Sequence, residues 1–200
     1  MNIIKVKDNP EAGIVASKKI AEMIKNNPNI VLGLATGSTP ITTNVKAFNL
    51  DEYKGIDGNH DQSYKFFMKE TLFDHVNINK NNCHIPSGHT NNNEEAAKYD
   101  EEIKKAGGID LQLLGLGVNG HVGFNEPGAS FDSITSIVDL TESTIEVNSR
   151  FFENKKDVPT QAISMGLKTI ANAKEILLIA TGKNKAEAVK HLVNGPVTTE

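Results

Sequence analysis

The sequence predicts an α/β layer fold built on buried parallel strands. Short apolar runs rich in β-branched residues alternate with helix-like segments along most of the chain. The runs are nearly continuously apolar rather than alternating with polar residues, which is typical of parallel strands covered on both faces. The chain has 200 residues, enough for one hydrophobic core, so we expect a single domain over residues 1–200.

Each element is predicted from its apolar pattern and its end signals. The strand candidates, the last three of them weaker, are Ile30 to Ala35, Leu111 to Leu116, Ile176 to Ala180, Ile3 to Val6, Val45 to Leu50 and Ala162 to Met165. Helices are predicted for Glu11 to Lys25, for a segment that follows an Asp61 N-cap and carries Tyr64, Phe67, Met68 and Leu72, for Asn93 to Ala106, and for Lys185 to Val193.

Composition and charge exclude several classes of protein. The chain has 21 basic and 25 acidic residues and a net charge of −4, which argues against a nucleic-acid binder that depends on bulk positive charge. No apolar run is long enough to cross a bilayer, and the first five residues lack the apolar segment of a signal peptide. We therefore expect a cytoplasmic protein without membrane or nucleic-acid partners. The single cysteine, Cys83, fits a reducing compartment.

A strand, a small hydroxyl-rich turn and a helix start together indicate an anion site at Thr36 to Pro40. Free backbone N–H groups and the helix dipole converge at such a turn, and phosphate is the natural ligand. No Gly-Lys-Ser/Thr follows, which disfavours triphosphate chemistry. An ordinary capped turn is the alternative, and these residues alone favour neither.

Two adjacent acids, Asp51 and Glu52, follow the predicted strand Val45 to Leu50. Functional crevices of open α/β sheets lie beyond the carboxyl ends of strands, which makes these acids candidates for proton transfer. Neighbouring side chains on a strand point in opposite directions, so we expect at most one of them to face a substrate. A solvated acidic turn is the alternative.

The most informative stretch is the glycine-rich segment from Gly115 to Gly128. Its first glycines fit G-x-G-x-x-G, but the chain runs on into Pro127-Gly128 instead of starting a helix, which argues against a dinucleotide site. What remains is a loop that holds His121 and Glu126 at the end of a buried strand. Histidine is suited to proton transfer near neutral pH, and we interpret His121 as catalytic.

Two cations are candidates for binding a phosphate. The chain has 21 basic residues of which only Arg150 is an arginine, and its planar fork suits bidentate binding. Lys185 follows a strand and a glycine turn, where it could reach the same crevice. The remaining histidines show no metal-ligand spacing and Cys83 has no C-x-x-C partner, so we predict no metal.

Together these motifs resemble those of the glucosamine-6-phosphate deaminase family, also described as glucosamine/galactosamine-6-phosphate isomerases. The stretches that carry the resemblance are Leu34 to Pro40, Phe48 to Tyr53, Gly120 to Pro127 and Asn148 to Phe152, in the family's order. The resemblance implies a Rossmann-like α/β fold, a mostly parallel sheet with helices on both faces. It also implies conversion of glucosamine 6-phosphate and water to fructose 6-phosphate and ammonia, in amino-sugar catabolism.

The resemblance further implies a role for each matching residue. His121 would open the sugar ring, Glu126 would orient it, and Asp51 would shuttle a proton from the amino-bearing carbon to the former anomeric carbon. Asn119 would assist His121 as a hydrogen-bonding partner. The implied phosphate-binding residues are Gly37, Ser38, Thr39, Arg150 and Lys185. Acid/base groups suffice for this chemistry, so we expect no redox cofactor.

Two departures from the family pattern lead to further expectations. Only nine residues, Thr36 to Asn44, separate two predicted strands, whereas a parallel crossover takes about a dozen or more. We therefore expect that a segment is missing near residues 44–45 and that more chain follows Glu200. Members activated by N-acetylglucosamine 6-phosphate carry basic residues soon after the glutamate, which are missing before Arg150 here. We therefore expect this activation to be absent.

Two other functions compete with deamination. A 6-phosphogluconolactonase would share the fold, the phosphate loop and the loop histidine, but it would not need Asp51 as a base on carbon. A non-catalytic sugar-phosphate sensor is disfavoured by the full set of acid/base residues. Whether the chain is a deaminase or a lactonase, we expect a small sugar-phosphate substrate and a monomer or homo-oligomer.

Overall fold

The computed structural model describes residues 1–35 and 44–199. In chain order its elements are α1 (Asn9–Asn26), β1 (Val31–Leu34), β2 (Lys46–Asn49), β3 (Asp51–Tyr53), α2 (Tyr64–Met68), β4 (Cys83–His84), α3 (Asn93–Ala96), α4 (Lys98–Lys105), β5 (Leu111–Gly115), β6 (Ser136–Asp139), α5 (Glu142–Asn148), β7 (Gln161–Ser164), α6 (Leu167–Ala171), β8 (Glu175–Ile179) and α7 (Ala186–Asn194). A π-helical turn, Lys69–Phe73, continues α2, and 3₁₀ turns occupy Lys80–Asn82, Ser149–Phe151, Lys155–Asp157 and Lys183–Lys185.

The main sheet has five parallel strands in the order β4-β2-β1-β5-β8. Every neighbouring pair runs in the same direction. Two of its three inner strands, β1 and β5, come from the nearly continuous apolar runs Ile30 to Ala35 and Leu111 to Leu116, as expected for strands buried on both faces. The predicted mostly parallel α/β sheet is confirmed.

Helices cover both faces of this sheet, because successive strand residues point to opposite sides. On one face Leu32 belongs to a buried cluster with Ile20 and Ile24 of α1. On the other face Val31 belongs to a cluster with Ile103 of α4. The main core is therefore two apolar layers separated by the sheet.

A second sheet, which the sequence did not predict, contains three antiparallel strands in the order β3-β7-β6. The chain passes from one sheet to the other at Leu50, whose N–H donates to the Leu34 carbonyl at 2.8 Å and whose carbonyl accepts from the Met165 N–H at 2.9 Å. Asp51 is thus the first residue beyond the parallel sheet. Its partner in the small sheet is Ser164.

Some local predictions were wrong. Ile3 to Val6 is not a strand; the side chains of Ile3 and Ile4 are 54% and 60% exposed. The helix predicted over Asn93 to Ala106 is divided at Ala97 into α3 and α4. The N-cap of α2 is Ser63 rather than Asp61, since the Ser63 hydroxyl accepts from the Phe66 N–H at 2.9 Å.

The anion turn predicted at Thr36 to Pro40 lies outside the described residues. The strand that precedes it, β1, is described. The expected missing segment near Asn44 stays a prediction for the same reason. Within residues 1–35 and 44–199, no helix combines the length and the apolar character that crossing a membrane requires.

Candidate active site

A cleft of about 720 Å³ opens at the carboxyl ends of the parallel strands. Ala35 after β1, Asp51 after β2 and Gly115 at the end of β5 lie along it. This edge of an open parallel sheet is where ligands bind. Six of the predicted site residues line the cleft together: Asp51, Asn119, His121, Glu126, Arg150 and Lys185. The other three, Gly37, Ser38 and Thr39, lie outside the described residues.

Asp51 lies on the wall of the cleft, on the first position of β3. The alternation of side chains along a strand sends its neighbour Glu52 the other way, into the protein, where it is 2% exposed. Burial, and then the charge of Glu52, raise the pKa of Asp51 to about 7. A carboxylate with this pKa can accept a proton near neutral pH, which an ordinary aspartate does poorly.

His121 and Glu126 form a second group in the cleft, carried by the glycine-rich loop. The His121 Nδ1 atom is 3.6 Å from Glu126 Oε2, at ion-pair distance and just beyond hydrogen-bonding distance. This Nδ1 is buried and has no hydrogen-bond partner. Catalytic hydrogen bonds are often long without substrate. A small approach of Glu126 would hold a proton on Nδ1 and leave Nε2 available as a base.

Asn119 connects the two members of this pair. Its Nδ2 donates to Glu126 Oε2 at 2.7 Å, and its Oδ1 accepts from the His121 backbone N–H at 3.3 Å. The Oε1 atom of Glu126 accepts from the Thr141 and Thr144 hydroxyls, each at 3.4 Å. Glu126 is therefore oriented by a polar network rather than by burial.

Two glycines make this loop conformation accessible. A Cβ atom on Gly117 would lie 2.4 Å from His121 Nδ1, so any side chain there would displace the imidazole ring. Gly120, immediately before His121, has a φ of 94°, which L-amino acids rarely adopt. The two glycines thus allow the backbone path that brings His121 to the cleft.

Arg150 and Lys185 provide the positive charge at the cleft. Arg150 belongs to the 3₁₀ turn after α5, and its guanidinium lies 4.7 Å from the centre of the Phe151 ring. Lys185 ends the 3₁₀ turn before α7, beyond the carboxyl end of β8. Two cations at the edge of the cleft suit an anionic group of a ligand.

Sequence reasoning missed two groups in this site. Tyr64, at the start of α2, lines the cleft beside Asp51, although its pattern indicated only an apolar helix face. Helix α5 was missed altogether, and it contributes Ser143, Thr144 and Val147 to the lining. The N-cap residue Thr141, whose hydroxyl accepts from the Thr144 N–H, was the signal that could have predicted α5.

The other candidate side chains contribute little to this site. Cys83 and His84 form β4 and do not line the cleft. Burial raises the pKa of the Cys83 thiol to about 11, so it carries little thiolate at neutral pH. In the part of the chain that the structure describes, no cluster of three or more His, Cys, Asp or Glu side chains is arranged to hold a metal ion.

Similar proteins share both the sequence and the fold. A protein named glucosamine-6-phosphate deaminase from Mycoplasma mycoides subsp. mycoides SC is 57% identical, over 99% of this chain and 87% of its own. One of the same name from Clostridium perfringens strain SM101 is 51% identical, over 100% of this chain and 90% of its own. That alignment has 217 positions against 200 residues here, so it includes gaps in this chain.

Solved structures agree with these sequence matches. A structure described as a monomeric glucosamine-6-phosphate deaminase superposes with a TM-score of 0.94 at 38% identity, over 100% of this chain and 90% of its own. A 6-phosphogluconolactonase from Thermotoga maritima has a TM-score of 0.74 at 20% identity, over 97% and 90% of the two chains, and shares the fold. The sequence pattern of the glucosamine-6-phosphate isomerases/6-phosphogluconolactonase family matches residues 12–200, and the chain belongs to this family.

Proposed function

We propose that this chain is a glucosamine-6-phosphate deaminase, which converts glucosamine 6-phosphate and water to fructose 6-phosphate and ammonia. The observation that carries the proposal is the arrangement of the cleft. A carboxylate with a pKa of about 7, a histidine–glutamate pair and two cations line one cavity. Relatives that are 48–57% identical over nearly the whole chain carry this name.

The first step is opening of the sugar ring. His121 takes the proton of the anomeric hydroxyl and returns it to the ring oxygen, so that the C1–O5 bond breaks and an aldehyde forms. Glu126 orients the imidazole, and Asn119 holds the Glu126 carboxylate. The short path between the two oxygens suits a single group that acts as base and then as acid.

The second step moves a proton between carbon atoms. Asp51 removes the proton from C2, which bears the amino group, while the C1 carbonyl oxygen takes up a proton from solvent, and an enolamine forms. The same carboxyl group delivers its proton to C1 and the amino nitrogen gives up a proton to solvent, which gives a ketimine at C2. Water adds to this C=N bond and ammonia leaves, so that fructose 6-phosphate remains. The half-buried position of Asp51 supports this role, because a base of raised pKa takes a proton from carbon more readily.

We assign substrate binding mainly to contacts between the protein and the phosphate group of the sugar. Arg150 and Lys185, which line the cleft, bind it, and we assign the same role to Gly37, Ser38 and Thr39, which the resemblance gives as phosphate-binding residues. Ala35, the last described residue before them, lines the cleft and supports the assignment. The phosphate anchor fixes the sugar with its C1 and C2 atoms between Asp51 and His121.

The proposal is tested by ammonia release from glucosamine 6-phosphate, with the ketose phosphate measured in the same samples. We expect equal amounts of both products from the purified chain. His121→Gln provides the matched control, because the amide keeps much of the size and polarity of imidazole but cannot exchange protons. A folded chain that releases no ammonia would contradict the proposal.

Lactone hydrolysis is the competing activity within the same family. The lactonase structures are 16–20% identical and share the fold alone. Ester hydrolysis requires an activated water but no base on carbon, so Asp51 would be dispensable. Activity of Asp51→Asn on glucosamine 6-phosphate and on 6-phosphogluconolactone therefore separates the two reactions.

A cytoplasmic enzyme is the setting that we propose, because a phosphorylated sugar carries charge that keeps it from crossing membranes unaided. The substrate class, a small sugar phosphate, follows from the family. A monomer or a homo-oligomer stays a prediction, and gel filtration with light scattering decides between them.

A further inference from the structure

Glu52 is a buried acid that the proposed mechanism does not use. It is the middle residue of β3, directly after Asp51, and only 2% of its surface is exposed. Burying a carboxylate costs free energy unless hydrogen bonds or opposite charges compensate for lost hydration. The compensation at Glu52 shows what the residue is doing.

Three backbone N–H groups bind the Glu52 carboxylate. Tyr53 and Tyr64 donate to Oε1 at 2.8 and 2.9 Å, and Lys65 donates to Oε2 at 2.9 Å. Tyr64 and Lys65 are the first two residues of α2, whose N–H groups have no partner within the helix. Glu52 therefore ties the start of α2 to the strand that carries Asp51.

This tie sets the position of Tyr64. The Tyr64 ring lies 4.9 Å from the Tyr53 ring and is stacked at 6.3 Å on Phe124, measured between centroids. The same side chain lines the cleft with Asp51. Tyr64 is thus part of the wall that keeps water from Asp51, and burial is the largest cause of the raised pKa of Asp51.

Glu52 also places a negative charge next to Asp51. Burial raises the pKa of Glu52, while its three N–H donors, and then the charge of Lys65, act to lower it. The donors favour the ionised form, because a protonated carboxyl group would leave N–H groups without an acceptor. The Glu52 charge is the second cause of the raised pKa of Asp51.

The other groups around Asp51 differ in kind. The titratable or charged side chains that line the cleft with Asp51 are Tyr64 of α2, His121 and Glu126 of the glycine-rich loop, Arg150 and Lys185. The charge of Asp51 also acts on Tyr53 of β3 and Tyr99 of α4. Burial raises the pKa of each of the three tyrosines, so all three stay neutral. Glu52 is the acid adjacent to Asp51 in the chain.

We propose that Glu52 is a positioning residue for deamination, which holds Tyr64 and the start of α2 against Asp51 and supplies the buried negative charge that makes Asp51 an effective base on carbon. The proposal rests on the function assigned above. It gives the adjacent acids separate tasks: Asp51 contacts the substrate, and Glu52 acts through Asp51 and Tyr64.

Glu52→Gln tests the proposal. The amide oxygen can keep the bonds to Tyr53 and Tyr64, while the charge and the bond to Lys65 are lost. We expect kcat for ammonia release to fall about tenfold with little change in KM, since general-base catalysis depends on the basicity of the base. The acid limb of the pH profile of kcat is expected to move to lower pH, because Asp51 would lose its proton more easily.

Ser63→Ala is the matched control. It removes the other side-chain cap of α2, the bond from Phe66 N–H to the Ser63 hydroxyl, at a cost of about 1 kcal/mol, and it leaves the Glu52 charge in place. We expect its acid limb to coincide with that of the wild type. A Glu52→Gln profile that coincides with both would overturn the proposal.

A readout without substrate separates this proposal from the assigned function. In ¹³C NMR of the wild type the Asp51 carboxyl group is expected to titrate near pH 7, and in Glu52→Gln at lower pH. An unchanged titration overturns the role of Glu52 even if the enzyme is a deaminase. If Glu52→Gln does not fold, Glu52→Asp keeps the charge but is one methylene short of α2. Its weaker hold on Tyr64 should lower both kcat and the pH at which Asp51 titrates, and an unchanged titration and kcat would overturn the proposal.

Discussion

The strand that carries Asp51 and the loop that carries Glu126 control the properties of these two acids in different ways. Asp51 begins β3 of the small sheet, directly after the chain leaves the parallel sheet, and its raised pKa comes from burial and from a neighbouring charge. Glu126 lies in a loop, is 25% exposed at its side chain, and is oriented by hydrogen bonds from Asn119 and two threonines. A base that removes a proton from carbon needs raised basicity, whereas a carboxylate that orients a histidine needs a fixed position.

Asp51→Asn should break the strand side of this comparison with the largest effect. The amide has the same shape but cannot take a proton from C2, and we expect kcat to fall by roughly 10³-fold or more. Substrate binding, measured by calorimetry, should change little because the phosphate contacts remain. An Asp51→Asn enzyme that retains a tenth of the wild-type kcat would be incompatible with a base at Asp51.

His121→Gln tests the loop side and should have a smaller effect. Sugar rings open slowly in water without a catalyst, so some open-chain substrate remains available. We expect kcat to fall by about 10²-fold. The rate should then become limited by ring opening. A rapid burst of ammonia, equal in amount to the open-chain sugar already present in the substrate solution, would show this limit. If Asp51→Asn and His121→Gln lose activity in the reverse order, the division of tasks is wrong.

Arg150→Lys should change binding more than chemistry. The lysine keeps the charge but loses the bidentate fork and the stacking on Phe151. Charged hydrogen bonds contribute about 1.5–3 kcal/mol, so we expect KM to rise about 10- to 100-fold. Steady-state kinetics at saturating substrate should give a kcat within a few-fold of the wild type. A lower kcat at unchanged KM would instead place Arg150 away from the phosphate.

Thr144→Val sharpens the account of Glu126 and should have the smallest kinetic effect. Valine has the same shape but removes the bond to Glu126, which at 3.4 Å is long, and the bond that the Thr144 hydroxyl accepts from Thr141 at 2.9 Å. A typical hydrogen bond contributes about 0.5–1.5 kcal/mol, so we expect kcat to fall by a few-fold. The acid limb assigned to Asp51 should not move, and movement of that limb would show that the two sides are coupled.

The same comparison predicts an effect on stability. Asp51 has a pKa of about 7 in the folded chain against an ordinary value of 3.8. Between these values the unfolded chain loses this proton first, so Asp51 destabilises the fold increasingly as pH rises from about 3.8 to 7. Asp51→Asn should therefore raise the melting temperature more at pH 8 than at pH 4. An equal gain at both values would contradict the raised pKa.

The sequence predicted best where burial leaves a simple pattern. β1 and β5 are nearly continuous apolar runs, with Gln112 as the polar residue of β5, because helices cover both faces of the sheet. The alternation rule also separated Asp51 from Glu52 correctly. The strand predicted at Ala162 to Met165 is confirmed as β7, but its sheet was missed because β3 has only three residues and β6, Ser136–Asp139, has no fully buried residue.

Site residues were predictable where the chemistry is carried by the local sequence. His121 and Glu126 lie five residues apart in one loop, and the structure brings Asp51, Arg150 and Lys185 to the same cleft. Tyr64 was missed as a site residue because its position depends on a bond to Glu52, twelve residues away. A contact of this kind depends on how β3 and α2 pack, which no local pattern records.

The most direct test of a shielded base at Asp51 follows one hydrogen atom. Glucosamine 6-phosphate labelled with deuterium at C2 is turned over in ordinary water, and the fructose 6-phosphate is examined by NMR. One buried carboxyl group that takes the label from C2 should deliver part of it to C1 before water exchanges it. We predict that the wild type places deuterium at C1 and that Asp51→Asn loses turnover. Ammonia release with no deuterium at C1, or equal turnover by Asp51→Asn, would contradict the account.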